Sequence, residues 1–162
     1  SYEKSSTWSG RPSSSERREK SGALSEEGAA YTADAVAVLG YLADRLPSSA
    51  DGIFERAERG EATLWIPSIV LGEVLFTLLK GKEVFGHRVP PEKFVILLDS
   101  LEHSVSSRVH ELGIGGWRRA RDVKLNELHD RMVVATYHVT GSRAILTDDS
   151  EIAGLADVKT IW

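Results

Sequence analysis

The chain has no cysteine among its 162 residues. Disulfides, thiolate zinc sites, iron–sulfur clusters and cysteine nucleophiles are therefore excluded. No apolar run approaches the roughly 18 residues that a membrane span needs. The opening residues lack the charged, apolar, small order of a secretory signal. An excess of positive charge is also missing: 20 Lys and Arg face 24 Asp and Glu, a formal net charge of -4. Bulk charge argues against a polybasic nucleic-acid coat, although a local basic surface can still hold phosphates. The expectation is a soluble, cytoplasmic protein without a membrane partner. Its length suits about one domain of roughly 150 residues.

Composition divides the chain. Residues 1–28 hold nine serines, five basic and five acidic residues, with apolar side chains only at Tyr2, Trp8, Ala23 and Leu24. So little apolar surface cannot offset the entropy of ordering. A flexible arm is expected over 1–28 and a globular domain over 29–162.

Within that domain β-rich and helical runs alternate. Strands are expected at Ala29–Ala33, Thr63–Ile66, Ser104–Val109, Arg143–Leu146 and Val158–Ile161. Helices are expected at Ala35–Arg45, from Ser49 or Asp51 to Arg59, at Ser68–Leu79, Glu92–Leu101, Trp117–Val123 and Glu127–Val139. Asn126 is expected to cap the last of these, and Asp148 or Asp149 a short helix after it. Ser68–Leu79 is apolar almost all round, which predicts a central helix. Gly113, Gly115 and Gly116 read as a loop. Hairpin signals are lacking, so βα units should build a mostly parallel sheet with helices on both faces, an α/β/α sandwich. In such sheets the functional crevice lies at the carboxyl ends of the strands.

The informative residues are acids where an acid is expensive. Asp34 follows the first strand and opens a helix. Glu73 lies amid Ile69, Val70, Leu71, Val74, Leu75 and Phe76. Asp130 shares the inward stripe of its helix with Val133, Val134 and Tyr137. Asp148 and Asp149 follow Ala144-Ile145-Leu146. Taken singly, Asp34 and Asp149 are N-caps worth about 1 kcal/mol, and Asp130 complements a helix dipole. Glu73 is harder to dismiss, because an unpaired buried carboxylate costs several kcal/mol. Taken together, all can converge on one crevice. Oxygen ligands without cysteine suit a hard cation, Mg²⁺ or Mn²⁺. Such cations serve phosphodiester hydrolysis.

The order Asp, Glu, Asp, Asp resembles the PIN domain, and within it the VapC-like toxin ribonucleases. The matching segments are Tyr31–Leu39, Ile66–Leu75, Leu128–Thr136 and Ala144–Asp149. The resemblance implies a PIN-like three-layer fold and a metal-dependent endoribonuclease. It further implies an RNA substrate, a homodimer and a separate antitoxin protein. It carries the family's acids onto Asp34, Glu73, Asp130 and Asp149, with Asp148 in a variable slot and Thr147 steadying the set. Asp34 and Asp130 would be the main metal ligands. Two features depart from the pattern. Val36 stands where the family commonly has Ser, Thr or Asn, and the arm before the first strand is long. Val36 favours a rival reading, a non-catalytic PIN-like module that binds RNA or protein. A phosphoacceptor domain of the receiver kind would need a lysine at a late strand end, where Asp148 and Asp149 stand instead.

Trp117, Arg118, Arg119 and Arg121 combine a ring with three cations, which suits RNA through stacking and phosphate contacts. The plainer reading is a solvated helix face with Trp117 in the core. His129 adjoins Asp130, but neighbouring helix positions point about 100° apart, so a surface role, or one behind the acids that carry the site, is expected for it. His87, His103, His110 and His138 lack metal-ligand spacing. No Gly-x-Ser-x-Gly elbow and no phosphate-binding glycine loop occurs.

Overall fold

The computed structural model describes residues 28–162. The arm expected before that span lies outside the described residues. Strand β1 (Ala30–Ala33) leads into α1 (Ala35–Leu42) and α2 (Ser48–Glu58). Strand β2 (Thr63–Pro67) leads into α3 (Ser68–Leu79). A small pair, β3 (Glu83–Val84) and β4 (His87–Arg88), precedes α4 (Glu92–His103) and β5 (Ser107–His110). Helices α5 (Ile114–Asp122) and α6 (Leu128–Val139), strand β6 (Ala144–Leu146), the short α7 (Ser150–Ala153) and β7 (Thr160–Ile161) complete the order.

The main sheet runs β5-β2-β1-β6-β7 and every pairing in it is parallel. The chain starts at the centre, moves outward through β2 to β5, then returns to place β6 beside β1. The direction of winding therefore reverses between β1 and β6, where an α/β sheet opens a crevice at its carboxyl end. Parallel strands covered on both faces should be continuously apolar. Ala33, Leu64, Ile66, Ala144, Ile145 and Leu146 are accordingly all buried. The helices cover both faces of the sheet and give the three-layer α/β/α architecture. Within β1, Thr32 shares a hydroxyl hydrogen bond of 2.8 Å with Ser142, which meets Thr140 at 2.7 Å. These bonds satisfy polar groups that burial would otherwise penalise.

Several local expectations need correction. Ser49 and Asp51 do not start α2; Pro47 does, without a side-chain cap. Asn126 does not cap α6, because Glu127 holds that position in extended backbone. Gly115 and Gly116 are helical, inside α5. Gly116 is buried, and a Cβ there would lie 2.6 Å from Leu112 Cδ2, so close packing explains the residue better than a turn. A hairpin does exist: β3 and β4 are antiparallel, joined by Phe85 and Gly86 at φ 48° and 76°. Two positive φ values fit the primed hairpin turn, but Phe in its first position gives no sequence signal. Finally, α3 is not enclosed. Val70, Val74 and Leu78 form its one buried stripe, while Phe76 and Leu79 are 54% and 67% exposed.

Candidate active site

The crevice is built from the ends of β1 and β6 and the flanks of α3 and α6. Asp34 leaves β1 in extended backbone and caps α1, accepting the Ala35 N–H at 2.8 Å through Oδ1. Its Oδ2 accepts the Thr147 hydroxyl at 2.8 Å, across the β1–β6 seam. Thr147 in turn accepts the Asp149 N–H at 3.1 Å. Asp149 caps α7, its Oδ1 receiving the N–H groups of Glu151 and Ile152 at 2.8 and 3.1 Å. The cap readings of Asp34 and Asp149 are thus correct as local geometry. The same geometry aims both residues at the seam.

Asp130 stands in the first turn of α6 and is buried. That turn is anchored by Arg131, which donates through Nε to the Leu125 carbonyl and through Nη1 to the Arg121 carbonyl at 3.1 Å. Glu73 projects from the edge of the buried stripe of α3. Its Oε1 is buried with no hydrogen-bond partner among the described residues, and its Oε2 lies 3.8 Å from His129 Nε2. His129 stands beside both acids. Its Nε2 is also 3.4 Å from Asp130 Oδ1, so the ring stands between two carboxylates.

The electrostatics bind these groups into one set. Burial raises the Asp34 carboxyl above its ordinary value, against the Thr147 and Ala35 hydrogen bonds, and Asp149 adds to the rise. Glu73 is pushed up to about 7, first by burial and then by Asp34 and Asp130, with His129 opposing. Asp130 is pushed up to about 6 by burial, Asp149, Asp34 and Glu127, again opposed by His129. Asp34, Glu73 and Asp130 thus each feel the charge of at least one neighbouring carboxylate. Asp148 differs: it is exposed beyond the seam.

The donor set suits a hard cation in kind, and the orphaned Glu73 Oε1 is an acceptor waiting for a positive charge. Among the described residues no three such side chains are already gathered closely enough to hold an ion. A cation would have to draw Glu73, Asp34 and Asp130 inward.

The basic helix lies on α5. Trp117 is 45% exposed and not a core residue. Arg118, Arg119 and Arg121 are exposed beside it. Arg119 Nη2 approaches Asp157 Oδ2 at 4.0 Å, and Asp157 also takes His138 Nε2 at 3.0 Å. These three residues line a cavity of about 410 Å³ whose wall contains none of the crevice acids.

Two solved structures share this architecture. VapBC2 of Rickettsia felis, bound to a DNA fragment from its promoter, matches with a TM-score of 0.60 at 13% identity, over 82% of this chain and 97% of that one. VapC20 of Mycobacterium tuberculosis, a toxin that cleaves the sarcin-ricin loop, matches with a TM-score of 0.51 at 16% identity, over 80% and 98%. The chain has a VapC-like PIN-domain fold. No family model matches the sequence. No curated protein matches it either. At 13% and 16% identity the likeness is one of backbone, so the chemistry of a VapC-like fold has to be argued from the crevice residues themselves. Among the described residues no helix is long and apolar enough to cross a membrane.

Proposed function

We propose that this VapC-like chain is an endoribonuclease dependent on Mg²⁺ or Mn²⁺, and the toxin of a toxin–antitoxin pair. One observation carries the reading: Asp34, Glu73 and Asp130 are each pushed up by burial and by the charge of at least one neighbouring carboxylate. Holding so many acids together destabilises the fold unless a cation or substrate repays it. Asp34, Asp130 and Glu73 would hold the cation, with Asp149 completing the set and Asp148 outside it. When bound, such a cation polarises a phosphodiester and makes water a stronger nucleophile.

The chain's own residues do the rest. Thr147 and the Ala35 N–H fix the Asp34 carboxylate, one bond to each oxygen, and leave its other lone pairs for the crevice. Glu73 Oε1, which has no hydrogen-bond partner among the described residues, would turn to the cation. Arg118, Arg119 and Arg121 would meet RNA phosphates and Trp117 would stack on a base. The R. felis structure is of VapBC2 bound to a promoter fragment, which supports an antitoxin partner here. Phe76 and Leu79 on α3 and Val95 and Ile96 on α4 offer exposed apolar surface for that protein or for a second copy. Residues 29–162 would form the nuclease domain.

The test is cleavage of a panel of structured RNAs with and without Mn²⁺, comparing the wild type with Asp34→Asn. Metal-dependent cutting that the variant loses is expected. Val36 favours one alternative, a non-catalytic module, because an apolar side chain stands two residues after Asp34. RNA binding without cleavage across the panel would select it.

A further inference from the structure

We infer that Arg119, Lys124 and His138 form a subsite for a phosphate of the RNA strand, and that the Asp157 carboxylate fills it in the free protein. The inference rests on the proposal that α5 meets RNA and adds to it a site away from the crevice acids.

Asp157 carries it. The residue lies in the tight turn before β7, where the Val158 N–H is donated to the Leu155 carbonyl at 3.3 Å. An aspartate in a turn commonly bonds its own backbone. This one reaches two other elements instead. Its Oδ2 lies 3.0 Å from His138 Nε2, in the last turn of α6, and 4.0 Å from Arg119 Nη2 on α5. One anionic oxygen thus faces a guanidinium and an imidazole at the mouth of a cavity of about 410 Å³. That volume is within the range of ligand sites.

The chain's own anion is loosely held there. The Arg119 and Asp157 side chains are 49% and 64% exposed, and ion pairs so open contribute little. A phosphodiester carries the same single charge on two free oxygens. It can give one to the guanidinium and the other to the imidazole, where Asp157 offers a single oxygen to both. Lys124, on the same wall, supplies a second cation. With Asp157 swung aside, Arg119, Lys124 and His138 face only one acid, Asp122.

RNA fits the site better than a free phosphate does. Arg118 and Arg121 flank Arg119 along α5 and are exposed. Arg119 itself lies about 200° around the helix from Trp117. A strand carries several phosphates and can engage all three arginines, whereas a single phosphate engages one.

The experiment uses the full chain in chelator, with a fluorescent single-stranded RNA whose binding is followed by anisotropy at several salt concentrations. Asp157→Asn should bind about two- to fivefold more tightly than the wild type, with a salt slope steeper by about 0.7. In an Arg119→Ala background the same change should give no gain. Asp122→Asn should gain less, since Asp122 lines the cavity but takes part in neither contact. Lys124→Ala should weaken binding. RNA binding without a gain from Asp157→Asn overturns the subsite and leaves the RNA reading standing. A gain that persists without Arg119, or that Asp122→Asn matches, is a general effect of charge and also overturns it. A gain for inorganic phosphate but none for RNA overturns the assignment to a strand. A wild type that binds no RNA overturns both readings.

Discussion

Replacing Asp130 by Asn should stabilise the metal-free protein at alkaline pH. Asp130 ordinarily releases its proton near 3.8; in the fold that is delayed to about 6. Between those values the folded chain holds a proton that the unfolded chain has lost. Stability therefore falls as pH rises through this window. The difference is about 2 units, and each unit is worth about 1.4 kcal/mol, so the penalty above the window is about 3 kcal/mol. Glu73, pushed from 4.5 to about 7, repeats the effect. Part of the Glu73 shift is the Asp130 charge, so the two penalties together are less than their sum. A penalty of about 3 kcal/mol matters in a domain whose net stability is of the order of 5–15 kcal/mol. Asn keeps the volume and removes the charge. Urea unfolding in chelator at about pH 8 should find Asp130→Asn more stable than the wild type by about 1–3 kcal/mol, and the two should converge near pH 4. His138, lowered by burial and Arg119, contributes in the opposite sense, but equally in both proteins. Added Mn²⁺ should reverse the ranking: a hundredfold excess over Kd gives the wild type about 2.7 kcal/mol, and the variant little. A variant no more stable than the wild type at about pH 8 without metal would refute the claim that the crevice stores this repulsion.

Thr147→Val should cost about 1.5–3 kcal/mol by urea unfolding, because a buried carboxyl loses its hydroxyl donor and the Asp149 N–H loses its acceptor. A cost below about 0.5 kcal/mol would mean that the seam hydrogen bonds contribute little. Changing Arg118, Arg119 and Arg121 to Ala together should weaken RNA binding and flatten its salt dependence by about 0.7 for each lost single-strand phosphate contact; an unchanged slope would leave these side chains as a solvated face. Trp117→Ala should leave the melting temperature nearly unchanged, since its ring is exposed, while weakening RNA binding by about 1–3 kcal/mol. A large loss of stability would contradict the exposed position.

Much of the architecture is legible in the sequence because strand and helix periods leave different marks. Ala144-Ile145-Leu146 reads as a buried parallel strand, and it is one. Asp34 and Asp149 announce themselves because each follows such a strand and opens a helix. Other features depend on partners that no local pattern names. The apolar girth of α3 suggested enclosure, but apolarity does not say which side the fold covers. Phe76 ends up under the ammonium groups of Lys80 and Lys82, 5.6 and 5.3 Å from its ring centre. The turn at Phe85-Gly86 takes a left-handed backbone at a residue that rarely accepts it. Which of its two expected roles His129 takes is not legible in the sequence, because its approach to Glu73 and Asp130 depends on how α3 and α6 pack.

Asp149 answers to two duties at once. Its Oδ1 is already committed to the N–H groups of Glu151 and Ile152, so only Oδ2 can be offered to the crevice. The last helix therefore hangs from the same side chain whose second oxygen is left for the crevice. Truncation to Ala would cut both threads, releasing a cap worth about 1 kcal/mol and, with it, the hold on the fully buried Ile152. Lost activity in such a variant would say nothing about chemistry. Serine at this position keeps an oxygen able to serve the helix while withdrawing the negative charge, which makes it the substitution that separates scaffold from catalyst.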